Sequence, residues 1–149
     1  KKHLFTFGGE HKRFTAGTER VVVNFRGVRI LLEVCYDLRF PVWSRNLGDY
    51  DMILYVASWP TPRVDAWSAL LRARAIENQC YVAGVNRMGT DPTCEYSGGS
   101  AIIDPYGKTI AECPWSRESA VSADIDMEAL QAFRKKFPVL DDADPFTLI

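Results

Sequence analysis

No apolar run in this 149-residue chain approaches the roughly 20 residues needed to cross a bilayer; the longest stretches resemble Met52 to Ala57. The amino-terminal residues carry no signal-peptide hydrophobic region, so the sequence reads as that of a soluble protein with no membrane partner. Two histidines are present, and the four cysteines (Cys35, Cys80, Cys94, Cys113) form neither a CxxC pair nor zinc-ligand spacing. Reduced thiols in a cytoplasmic protein, with no metal, are therefore expected. Eighteen Lys and Arg balance nineteen Asp and Glu, and no long run of either sign exists to follow a phosphate backbone, which argues against nucleic acid. What the chain does have is 47% hydrophobic residues, enough for the core of one ordinary domain.

Residues 1–20 lack periodicity and read as a loop leading into a strand at 20–25. Arg26-Gly27 turns the chain into a second strand, Val28–Val34, apolar at nearly every position and so expected to be buried on both faces. A polar elbow at 36–40 precedes Pro41, which suits the first turn of a helix reaching residue 48. A strand is expected at 51–58, then a Pro-rich loop and a helix over 65–79 with Asp65 as N-cap and Trp67, Leu70, Leu71, Ala75 and Asn78 on one face. A strand at 81–86, a loop at 87–98, hairpin strands at 100–104 and 108–113, a strand at 119–126 and a helix at 127–137 complete the pattern. Strands alternating with helices, then hairpins, predict an α/β domain with a mixed sheet.

Cys35 stands at the carboxyl end of a buried strand, just before a tight turn, where α/β sheets bind ligands. A strand-to-helix elbow of this kind presents a nucleophile and turns the next backbone N–H, here that of Tyr36, toward a developing oxyanion. A buried structural cysteine is the competing reading, and it is kept for Cys80, Cys94 and Cys113. His3 and His11 lie in the first loop without an evident orienting partner, so a Cys–His pair is weakly supported. A carboxylate with an ammonium nearby is the other way to activate a thiol, and Lys1 and Glu10 could supply them, although both also read as ordinary surface charges. Trp59, at a strand's carboxyl end, could wall a pocket or fill the core. Arg39 is expected to pair with Asp37 rather than with a substrate carboxylate, and Arg74 with Glu77 three residues on.

The segments Lys1-Lys2-His3-Leu4-Phe5, Glu10 with Phe14 and Gly17, and Cys35-Tyr36-Asp37-Leu38-Arg39-Phe40-Pro41 resemble, in order and spacing, successive motifs of the nitrilase or carbon–nitrogen hydrolase superfamily. Residues 74–78, Gly98-Gly99-Ser100 and Asp104-Pro105-Tyr106-Gly107 resemble its later segments. Residues 41–46, Ala57-Ser58-Trp59-Pro60 and 137–144 are most similar to the bacterial omega-amidase branch. The resemblance implies an α-β-β-α sandwich in which a lysine, a cysteine and two glutamates meet; Lys1, Cys35 and Glu10 fall on three of these. The fourth, the general-base glutamate, would lie upstream of Lys1, so the chain is expected to be the C-terminal portion of a single hydrolase domain. The implied activity is hydrolysis of the terminal amide of a small 2-oxo acid monoamide through a cysteine thioester, without cofactor, in a homodimer or higher homo-oligomer. An N-carbamoyl amidase, a nitrilase, or a non-catalytic module retaining the fold are the alternatives.

Overall fold

A computed structural model describes residues 1–147. The first strands are β1 (Val21–Phe25) and β2 (Val28–Val34), joined by a two-residue turn in which Arg26 and Gly27 both take positive φ, the geometry that matches strand twist. A short helix, α1 (Pro41–Ser44), precedes β3 (Met52–Ala57), and the long helix α2 (Val64–Glu77) leads to β4 (Tyr81–Asn86). Then come β5 (Met88–Thr90), β6 (Glu95–Ser97), β7 (Ala101–Ile103), β8 (Thr109–Glu112) and helix α3 (Met127–Lys136). Six strands form one mixed sheet in the order β1-β2-β3-β4-β7-β8; β2, β3 and β4 run parallel and the outer pairs antiparallel, while β5 and β6 make a separate hairpin.

Helix α2 covers one face of this sheet. Trp67, Leu71 and Ala75 lie every fourth residue and pack with Leu31, Ile53, Tyr55 and Val82, all buried. Gly84 permits the close approach, because a Cβ there would meet Leu71 Cδ1 at 2.5 Å and Trp67 Cζ2 at 2.8 Å. The alternate residues point the other way and stay open: Leu32 is 41%, Val56 46% and Val85 49% exposed. The expectation that β2 is buried on both faces therefore fails among the described residues, since its apolar side chains divide between a covered and an uncovered face. Residues 119–126 form no strand; the segment is tied to the body near its ends, through Cys113 to the Ser119 carbonyl and Tyr81 to Asp126, and not by a ladder. Helix α1 stops at Ser44 rather than residue 48, and α2 starts at Val64 with no side-chain cap, Asp65 falling within its first turn. The stretch 87–98 holds the β5–β6 hairpin instead of a plain loop.

At the amino ends of the parallel strands, buried Asp51 receives Arg29 Nε and Nη2 at 2.9 and 2.8 Å and Arg134 Nη1 at 2.9 Å, which fastens α3 to the sheet. Burial pushes the Asp51 carboxyl up, but the hydrogen bonds from Arg29 and Arg134 outweigh it and hold the group below its ordinary value. The expected Arg74–Glu77 pair is present at 2.9 Å, with Arg74 buried and donating also to the Leu38 carbonyl.

Within β2, Glu33 is 2% exposed and accepts from Ser44 Oγ at 2.8 Å; its other oxygen has no partner among the described residues. Burial pushes its carboxyl up to about 7, against the lowering effect of the Tyr55 and Ser44 hydroxyls. A folded-state value above the ordinary 4.5 means that the native chain keeps a proton the unfolded chain has released. The resulting stability is full below pH 4.5, declines as pH rises and is lost above about 7. Glu33→Gln, which cannot ionise, is expected to gain in melting temperature relative to the wild type as pH rises from 5 to about 8; a difference that stays flat over this range would contradict a neutral Glu33.

Candidate active site

Three parallel strands deliver the site, because each ends on the same edge of the sheet. Strand β2 ends at Cys35, β3 at Ser58-Trp59 and β4 at Asn86. Cys35 opens a 3₁₀ turn over Cys35–Arg39 with φ of +51°, a left-handed conformation that costs a non-glycine residue about 1 kcal/mol or more and lifts the side chain out of the sheet. Its Sγ lies 3.9 Å from the Ser58 carbonyl oxygen. The Tyr36 N–H, at the start of that turn, is one of the donors for which a helical turn itself provides no carbonyl. Asn86, 6% exposed, fixes the neighbouring strand end by accepting from the Trp59 N–H at 2.7 Å and donating to the Trp59 and Gly98 carbonyls.

The first loop folds back through two short 3₁₀ turns, Thr6–Gly8 and Glu10–Lys12. This brings the Glu10 carboxylate against the Lys1 ammonium, at 2.7 and 2.5 Å, and under the Phe5 N–H at 2.7 Å. Burial raises the Glu10 carboxyl, and the Lys1 hydrogen bond and the Phe5 N–H more than reverse this, so it stays ionised beside the ammonium. Lys1, Glu10 and Cys35, which sequence alone left 34 residues apart, all line one cleft of about 1160 Å³. Tyr36 and Trp59 line it too, and Trp59 is at once core and wall: it is 3% exposed and packs on Trp67. Burial pushes the Cys35 thiol up, and the nearby Lys1 charge pulls it down.

The cleft has walls that sequence reasoning missed. Arg63, from the Pro-rich loop, lies over the Phe5 ring, while Thr93, Cys94 and Tyr96 come from the β5–β6 hairpin. The Pro60-Thr61-Pro62 run directly behind a strand end was the available signal for Arg63; the short hairpin gave none. Arg39 does not pair with Asp37. Its guanidinium stacks 4.8 Å from the Trp59 ring centroid in the cleft, because the Asp37 carboxylate is already taken by backbone N–H groups. Neither Arg39 nor Arg63 meets a carboxylate among the described residues. His3 stacks flat on Phe40 with its Nδ1 3.0 Å from Asp37, and neither His3 nor the exposed His11 lines the cleft, so no Cys–His pair forms.

The sequence profile described as Carbon-nitrogen hydrolase matches residues 1–135. The chain belongs to the carbon–nitrogen hydrolase family. Within that family it is 55% identical over 149 residues to "Omega-amidase YafV" of Escherichia coli strain K12, covering 99% of this chain and 58% of that protein. It is 42% identical over 144 residues to "2-oxoglutaramate amidase" of Bacillus subtilis strain 168, covering 95% of this chain and 55% of that one. The structure superposes with a TM-score of 0.96 on a carbon–nitrogen hydrolase superfamily protein of Xanthomonas campestris, solved with an arsenic adduct in its active site, at 47% identity and covering 100% of this chain and 59% of the other. The sheet and its flanking helices are thus those of this hydrolase fold, and the chain spans under three fifths of the length of these relatives.

Proposed function

We propose that residues 1–149 form the C-terminal portion of a single carbon–nitrogen hydrolase domain, and that the complete domain hydrolyses the terminal amide of a 2-oxo acid monoamide, such as 2-oxoglutaramate, to the acid and ammonia. The observation that carries this reading is the meeting of Lys1, Glu10 and Cys35 on one cleft, in a chain this similar to an omega-amidase. The Cys35 thiol gives its proton to a carboxylate base, the glutamate that the family resemblance puts upstream, and sulfur attacks the amide carbon. The carbonyl oxygen becomes an oxyanion held by Lys1 Nζ and the Tyr36 N–H, donors worth about 3 kcal/mol each in comparable sites. Collapse breaks the carbon–nitrogen bond; the base returns its proton to the departing ammonia, leaving a thioester. Water, deprotonated by the same base, releases the acid and restores the thiol. Glu10 pairs with the Lys1 ammonium and aims it.

Arg39 and Arg63 set positive charge in the cleft with no carboxylate of the described chain to neutralise it, which favours a substrate that carries its own. The uncovered apolar sheet face supports the domain assignment, since a second layer would bury Leu32, Val56 and Val85. We also take the protein to act in the cytoplasm as a homodimer or higher homo-oligomer, without cofactor; the four cysteines are free, in keeping with a reducing compartment. Among the described residues no helix is long and apolar enough to cross a membrane.

In an ammonia-release assay the full-length protein is expected to turn over 2-oxoglutaramate or 2-oxosuccinamate about tenfold better, by kcat/KM, than a neutral aliphatic amide of equal length, because only the charged substrate pairs with the exposed Arg39 and half-buried Arg63 guanidinium groups. Aliphatic nitriles should release none. Faster turnover of a nitrile or an N-carbamoyl amino acid would overturn the reading.

A further inference from the structure

We infer that Asp37 is the positioning residue that sets the separation of the Lys1 ammonium and the Cys35 thiol, by gripping with one buried carboxylate the backbone next to each. The inference rests on the amidase reading for the roles of Lys1 and Cys35. Asp37 is 1% exposed. On the nucleophile side its Oδ2 accepts the Val34 N–H at 3.1 Å, one residue before Cys35. On the lysine side its Oδ1 accepts the Lys2 N–H at 3.1 Å and the His3 N–H at 2.8 Å, immediately after Lys1. With His3 Nδ1 3.0 Å from Oδ1 and the Lys2 N–H also 3.4 Å from Oδ2, neither carboxylate oxygen is left without a partner.

The grip matters because the first loop has little else to fix its register. Residues 1–19 enter no strand, and the bonds of the Lys1 carbonyl with the Gly17 N–H and of the Lys1 ammonium with Glu10 are internal to that loop. Among the described residues, every hydrogen bond that leaves residues 1–19 for the rest of the chain ends on Asp37. The remaining contacts are ring and cation stacks, such as Phe5 on Tyr36 and His3 on Phe40, which hold the loop against the elbow without dictating a spacing. A buried carboxylate without an Arg or Lys partner is costly unless fully hydrogen-bonded, and this one is bonded across the two segments whose relation the chemistry needs.

The test compares wild-type and Asp37→Asn full-length enzyme, since an amide nitrogen would oppose one of the converging N–H groups. For a positioning role, kcat falls on the order of a hundredfold while KM stays within about threefold, the size of effect expected when reacting groups drift by about 1 Å. Iodoacetamide labelling of Cys35 provides a readout that needs no substrate. Lys1 favours the thiolate, while Glu10 and Asp37 oppose it, so deleting the Asp37 charge alone would speed labelling. Loss of Lys1 from its place slows it, and slower labelling is the expected result. A kcat within threefold of wild type, or a raised KM at unchanged kcat, overturns the inference. If the wild type releases ammonia from no amide, the amidase reading fails, and labelling alone then decides: slower supports positioning, equal or faster overturns it. If Asp37→Asn loses cooperative unfolding, the decision passes to an ester linkage that removes only the residue-3 N–H, made by installing phenyllactate there and compared with His3→Phe. A drop of about tenfold in kcat supports the grip, and equal rates overturn it.

Discussion

Cys35→Ser in the full-length protein is expected to fold and melt like the wild type yet lose at least a thousandfold in kcat. The exchange keeps the shape of the side chain, and the elbow's φ of +51° is no harder for serine than for cysteine. Chemistry is what changes. Burial already pushes the Cys35 thiol up, leaving the Lys1 charge and the base to make the thiolate; a serine hydroxyl, far less acidic, has no histidine on this cleft to take its proton. Removal of a nucleophile from a working site costs several orders of magnitude in comparable enzymes. Ammonia release with a melting curve on the same preparation separates lost chemistry from lost fold, and more than a tenth of wild-type activity would remove Cys35 from its role.

Lys1→Ala should be nearly as severe, about a thousandfold in kcat, and worse than Glu10→Ala. One oxyanion donor is worth on the order of 10²–10³ in rate. Its loss also strands the Glu10 carboxylate, now without its ammonium, near a thiol whose ionisation it opposes. Glu10→Ala removes that opposing charge while leaving the ammonium present but unaimed, so its deficit should be nearer a hundredfold. The pH–rate profile gives the check: the limb that reports thiolate formation should move to higher pH in Lys1→Ala and not in Glu10→Ala. Equal, wild-type rates in both variants would return the pair to the status of surface charges.

Cys35 stood out in the sequence because an apolar run ending at Val34 meets a polar elbow ending at Pro41 there, but a buried structural cysteine fits those local signals as well, and the ordered family motifs were needed to make it the candidate nucleophile. Lys1 and Glu10 were not legible from composition, since nothing local distinguishes a catalytic ammonium from a solvated one; the ordered motifs made them candidates, and the folded loop brings them together. Arg63, Cys94 and Tyr96 escaped because their place in the cleft depends on tertiary folding of a proline loop and three-residue strands, too short for any period to register. Residues 119–126 misled in the opposite way: Val121, Ala123 and Ile125 alternate as a strand would, yet the ladder has no further partner there. Asp37 and Arg39 are opposite charges two residues apart, but the partners of a buried carboxylate are chosen by the fold, and here two of them lie 34 and 35 positions away.

The parallel strands give this chain two ends with separate duties. Seven residues of β2, at about 3.3 Å each, put roughly 20 Å between Arg29 and Asp51 at one edge and Cys35 at the other. Changes that far apart with no shared partner combine almost additively. The Arg29–Asp51–Arg134 clamp is therefore a region where thermal robustness can be raised or lowered by an engineer, or drift under selection, while the cleft at the opposite edge keeps its shape, and the lining of that cleft can be remodelled without loosening the clamp.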